Sequence, residues 1–176
     1  MTTPDKTAPM PVPTSFARLL ADDYRRESAL TVKLLRGYPP DRASLKPHEH
    51  SNSAHQLLWT FVVENALIEG AVQHGLREPG SARGAMPESW DEALRQYEDG
   101  VDRVQRMLDA FDDGAMSRSV SFFAGPKQRA EFSLLDFVRF MIKDSIHHRG
   151  QLSVYLRLAG AKVPSIYGPS HDEPWN

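Results

Sequence analysis

Apolar and polar positions along the chain resolve into four stretches of helical period, separated by segments rich in proline, glycine and serine. The clearest is Phe132 to Gly160. Phe137, Met141, Leu152, Tyr155 and Ala159 recur on one helix face, Ser133 stands where an N-cap belongs, and Gly160 ends the run as a glycine beyond a helix C-terminus does. The first stretch, Ser15 to Arg36, offers Phe16, Leu19, Leu20, Leu30, Leu34 and Leu35 as apolar contacts and leaves Asp22, Arg25, Arg26 and Lys33 wet. Asp23 and Glu27 interrupt the stripe, and Gly37, Pro39 and Pro40 end it. The second, Ser53 to His74, is apolar over most of its circumference, which predicts a central position. The third opens at Pro87. Trp90, Leu94, Tyr97, Val101, Val104, Leu108 and Phe111 follow at alternating spacings of four and three, the seam of a bundle, and Gly100 within it marks a close crossing or a weak point.

The connections differ in character. Residues 41–53 contain LKPHEHSNS, read as a solvated loop in which nothing fixes His48 and His50. In 112–131, Val120 and Phe122 alternate with polar neighbours before the Gly125-Pro126 break. This segment has room for a short extended piece, and its length predicts a crossover along the bundle. After Gly160, four breakers (Pro164, Gly168, Pro169, Pro174) exclude regular structure, while Ile166, Tyr167 and Trp175 are expected to pack on the bundle. The proline- and threonine-rich residues 1–14 read as a disordered leader. The expected architecture is all-α: one four-helix-bundle domain over 15–176 with long crossover connections.

Composition narrows the chemistry. With 176 residues and a net charge of −2, the chain lacks the basic face a nucleic acid needs. There is no cysteine, which removes disulfides, thiolate metal sites and a cysteine nucleophile together, so any metal must be held by His, Asp or Glu. No apolar run approaches the ~18 residues of a membrane helix. The first residues hold no signal core, and a cytoplasmic location is expected.

Asp144 and His148 fall inside the apolar stripe of the fourth stretch. An i,i+4 pair is offset by roughly 40°, so both point the same way. An acid and an imidazole on a buried face either bond each other or share a metal ion. In the second stretch, Glu64 follows Thr60 at the same spacing, among Phe61, Val62, Val63, Ala66 and Leu67. It either reaches water at an edge or needs a partner, and the Asp144/His148 stripe is the candidate region. His55 lies about 180° around the helix from Glu64 and, like His74, is assigned to the surface or a helix end. His147, about 60° from Asp144, belongs at the rim of the site or against a neighbouring helix. Arg149 is assigned to an interhelical salt bridge and Gly150 to close packing by another helix.

The block His147-His148-Arg149-Gly150-Gln151-Leu152, followed by Tyr155-Leu156-Arg157, Gly160 and Val163-Pro164, resembles the signature of the DinB/YfiT-like family of damage-inducible proteins. Lys46-Pro47-His48-Glu49, ahead of an apolar helix with Trp59, is similar to that family's second-helix region. The resemblance covers Leu19 to Pro169. It implies a four-helix bundle with a divalent metal, zinc or nickel, in the core near one end. Three histidines hold it there, one from the second helix and an H-x-x-x-H pair from the last. The second of that pair falls on His148. The first falls on Asp144 and the second-helix histidine on Thr60, two departures from the pattern. Glu64, one turn beyond Thr60 on the same face, stands in for the missing imidazole.

The implied metal set is then Glu64, Asp144 and His148. Its oxygen donors shift preference toward manganese, iron or magnesium, with nickel and zinc still accommodated. The other reading is a site that has lost its metal, with Asp144 paired to His148 in a scaffold. By resemblance the function is that of a metal-dependent enzyme, of thiol-transferase or hydrolase type, acting on an unspecified small molecule with or without a low-molecular-weight thiol. The alternative is a metal-free, stress-linked binding or dimerisation module. A homodimer is expected, from the resemblance and from surplus apolar surface on the second and fourth helices.

Overall fold

A computed structural model describes residues 15–76 and 84–175. The leader expected over 1–14 lies outside them. Four helices form: α1 (Phe16–Arg36), α2 (Ala54–His74), α3 (Trp90–Asp109) and α4 (Leu134–Leu158). Each starts where a serine hydroxyl can accept the amide three residues on, at Ser15, Ser53, Ser89 and Ser133. Ser53 and Gln56 complete a reciprocal capping box. The third helix therefore begins at Trp90 and not at Pro87, because the cap that satisfies its first amides is Ser89. Gly75 (φ 68°) and Gly160 (φ 78°) take the left-handed conformation just past α2 and α4.

Two apolar clusters fill the interior. One gathers the start of α1 and α4 with the ends of α2 and α3, among them Leu20, Ile68, Leu108 and Phe137. The other gathers the end of α1 and α4 with the start of α2 and α3, including Leu35, Phe61, Trp90 and Leu156. So α1 and α4 run one way, α2 and α3 the other. The main contacts go round a square, α1 to α3 to α2 to α4 and back to α1. The inward stripe of α1 is carried in part by Ala17, Ala21, Ser28 and Thr31, small or polar residues that a search for large apolar positions passes over. That rotates Phe16 and Leu19 outward, 65% and 38% exposed, against expectation.

The fold is mostly helical but not purely so. Strands β1 (Ser119–Gly125) and β2 (Gln128–Ser133) pair antiparallel between α3 and α4. Val120 is fully buried, and Phe122 meets Phe137 edge-on with ring centroids 5.0 Å apart. This hairpin stays at one end, because α3 finishes where α4 begins. The connection that joins opposite ends is instead the one from α2 to α3. The tail after Gly160 packs Val163 and Ile166 on the bundle, whereas Tyr167 and Trp175 keep their rings 62% and 67% exposed. Among the described residues no helix is long and apolar enough to cross a membrane.

Candidate metal centre

At the bundle's waist, between the two apolar clusters, α2 and α4 face each other. Glu64 occupies the middle of α2 and Asp144 and His148 the middle of α4, so the site is not near one end. Glu64 is 4% exposed, which rules out the edge position left open for it. Its Oε2 accepts the Ser145 hydroxyl at 2.5 Å, and its Oε1 has no hydrogen-bond partner among the described residues. His148 Nε2 stands 3.5 Å from that Oε1 and 3.7 Å from Asp144 Oδ2. All three donor atoms lie within 4.8 Å of one another, the one such group of His, Asp and Glu among the described residues.

These separations are informative. A direct N–H···O bond would draw the atoms to about 2.9 Å. Two ligands of a tetrahedral cation, each at ~2.1 Å, sit ~3.4 Å apart. The Glu64–His148 and Asp144–His148 gaps match the second spacing. The residues therefore fit a divalent cation, on the strength of a buried carboxylate oxygen left unpaired and a donor set of two oxygens and one imidazole nitrogen.

Electrostatics points the same way. Burial pushes the Glu64 carboxyl up to about 8, the neighbouring Asp144 carboxylate adds to the shift, and the Ser145 hydroxyl only partly opposes it. Without a cation, Glu64 keeps its proton at neutral pH. A divalent charge in the gap would remove it.

A second layer orients the imidazole. Gln151 Oε1 lies 3.5 Å from His148 Nδ1, and the Gln151 amide nitrogen donates to His147 Nε2 at 2.9 Å. A proton on Nδ1, directed at Gln151, leaves Nε2 bare toward the carboxylates. His147 thus reaches the site from the rim, through a residue of its own helix. The Phe61 ring meets His148 edge-on at 6.3 Å.

Other expectations divide. Thr60 donates its hydroxyl to the Gln56 carbonyl at 3.1 Å, inside its own helix. His48 and His50 are exposed in a loop and His74 at a helix end, as expected. His55 is not a surface residue: α2's first turn packs on the start of α3, leaving it 9% exposed beside Trp90, 6.2 Å away, with Nε2 unpaired among the described residues. Arg149 makes the interhelical pair assigned to it, holding Glu27 Oε2 at 2.6 Å and the Glu27 carbonyl at 2.9 Å. Glu27 was thus not a defect of the first stretch but the acceptor of a buried guanidinium. A methyl group built on Gly150 would meet nothing within 4 Å among the described residues, so the close packing expected there is absent. Gly100 does mark a close crossing, because a methyl group built on it would come within 3.2 Å of the Asn65 side chain. Ser145 and Gln151 are the residues that sequence reasoning missed. Ser145 was legible as a polar residue four positions after Met141 and next to Asp144, and Gln151 as the i+3 neighbour of His148.

Fold and site together define a four-helix bundle with a candidate cation site between two of its helices. The DinB family model matches residues 10–175, and the chain belongs to the DinB family. Over 70 residues it is 37% identical to the uncharacterized protein YrdA of Bacillus subtilis, a match spanning 40% of this chain and 39% of that protein's length. Two solved structures share the fold. A DinB-like protein from Bacillus cereus is 21% identical, with a TM-score of 0.70 over 84% of this chain and 95% of that one. The DinB-like protein YjoA of B. subtilis is 18% identical, with a TM-score of 0.66 over 82% and 93%.

Proposed function

We infer that the chain is a DinB-family enzyme dependent on a divalent metal, held by Glu64, Asp144 and His148, that acts on a small molecule by hydrolysis or thiol transfer. The observation that carries this is the buried Glu64 Oε1, unpaired and facing an imidazole nitrogen 3.5 Å away. Leaving such an oxygen unpaired in a core costs ~1–3 kcal/mol unless something else satisfies it.

When bound, the cation supplies Lewis acidity and lowers the pKa of a water or thiol beside it. The side chains divide the remaining work. Ser145 keeps Oε2 of Glu64 occupied and so presents Oε1. Gln151 sets the His148 ring. Asp144, its side chain 37% exposed, forms the open edge where a substrate enters. Two carboxylates put more negative charge on the cation than three imidazoles would, and hard oxygen donors suit manganese, iron or magnesium. The hardness of a cation selected by oxygen donors favours water over a soft thiolate as the activated group, so hydrolysis is the first form of the proposal and transfer from a low-molecular-weight thiol the second.

Elemental analysis of purified protein, after incubation with manganese, nickel and zinc and removal of free ions, tests it. One equivalent of metal is expected, lost in Asp144→Ala and Glu64→Ala while helical circular dichroism is retained. No stoichiometric metal in the unaltered chain would leave the other reading: Asp144 paired with His148 in a binding or dimerisation module.

A further inference from the structure

The hairpin and the start of α4 enclose a cleft of 580 Å³ that the metal centre does not use. Five phenylalanine rings line it: Phe122 and Phe123 from β1, Phe132 from β2, Phe137 and Phe140 from α4. Phe137 is buried at its floor, while Phe123 and Phe140 each stand 50% exposed at its rim. Consecutive residues of a strand point to opposite faces, so adjacent phenylalanines do not ordinarily share one cleft. Here Phe123 pairs with Arg129 and Gly125 with Gln128, which leaves Ala124 as an extra residue in β1. A bulge twists its strand and re-aims the side chains beside it. The Phe122 and Phe123 rings lie 5.7 Å apart, edge to face, and Phe122 meets Phe140 at 6.3 Å.

We propose that this cleft binds a small organic cation with an apolar body, an alkylammonium compound. Two observations favour that chemistry over a neutral apolar ligand. The first is the kind of apolar surface. The face of an aromatic ring carries partial negative charge and attracts a cation, as an aliphatic lining does not. One of these rings already holds one: the Arg129 guanidinium carbon lies 5.3 Å from the centre of Phe123. Arg129 is itself tied to the carbonyls of Leu76 and Ser121, both at 2.8 Å, and does not line the cleft.

The second observation is Asp136, the one charged side chain among the lining residues. Its Oδ2 accepts the Ser133 hydroxyl at 2.8 Å. Arg139 stays 3.8 Å from its Oδ1, beyond hydrogen-bond reach, and the Asp136 side chain is 62% exposed. A carboxylate at the mouth and ring faces around it suit an ammonium head, and the buried Phe137 and half-buried Phe122 suit the alkyl chain behind it. A ligand ending in a carboxylate would meet like charge at the same place. The volume falls in the range of small-molecule sites. The cleft is separate from the metal centre: Asp136 and Asp144 stand about two turns apart on α4, roughly 12 Å along its axis.

Titration of the full chain with octyltrimethylammonium, octanol and octanoate, followed by NMR of the phenylalanine ring protons, tests the proposal. The three probes share a chain and differ in the charge of the head. Octyltrimethylammonium should saturate one site, about tenfold more tightly than octanol, with octanoate weaker than both. Asp136→Asn should reduce its affinity toward that of octanol, and Phe140→Ala should weaken it with helical circular dichroism unchanged. Equal binding of octanol would make the cleft an apolar surface only. That result, a preference for octanoate, the absence of saturation by any probe, or full affinity in Asp136→Asn would each overturn the proposal.

Discussion

Glu64 sets the behaviour of the site at the scale of single residues. Its carboxyl titrates near 8 in the fold against 4.5 as an unperturbed group. Between those values the unfolded chain is ionised there and the folded chain is not. The unfolded state therefore binds fewer protons, and this group's contribution to stability is complete below 4.5 and lost as pH rises to 8. In metal-free protein the loss is on the order of 5 kcal/mol. Thermal melts from pH 4.5 to 8 should show it as a falling midpoint, and Glu64→Gln should flatten the slope. An unchanged slope in that variant would mean Glu64 is ionised throughout. Bound metal should reverse the trend, since a cation competes with the proton and is held more tightly as pH rises.

Two devices at the scale of elements hold the helices in the register that forms the site. Arg149 is 2% exposed and tied to Glu27 and to the Tyr167 hydroxyl, so α4, α1 and the tail meet at one guanidinium. Removing one partner of a buried ion pair leaves the other uncompensated. Arg149→Ala should lower unfolding free energy by ~3 kcal/mol, with a much smaller loss in Tyr167→Phe, as denaturant titration would show. At the α2–α3 crossing, Asn65 accepts the Tyr24 hydroxyl at 2.7 Å and lies over Gly100. Gly100→Ala should displace Asn65 and destabilise the fold by about 1–2 kcal/mol despite alanine's better helix propensity, a sign that a solvent-facing glycine would reverse.

For the whole molecule, the consequence is a site at the waist, with core above and below it. Apolar layers on both sides keep the carboxylate of Glu64 in a low dielectric, which raises its pKa and strengthens its attraction for a cation. The waist also puts Asp144 on the face where α4 is free of neighbours.

Helical period, serine caps and terminal glycines, all local features, determined the four helices and the end of each to within a few residues. Local spacing also determined that Asp144 and His148 share a face and that Glu64 is out of place among apolar neighbours. What it could not determine is which elements run side by side. That depends on how four faces close together: α1 turned its small residues inward and freed Phe16, α2's first turn buried His55 against Trp90, and the hairpin took the place of an expected crossover. The meeting of Glu64 with His148, 84 residues apart in the chain, is likewise a product of that closure. Neither side chain's own helix contains the distance between them.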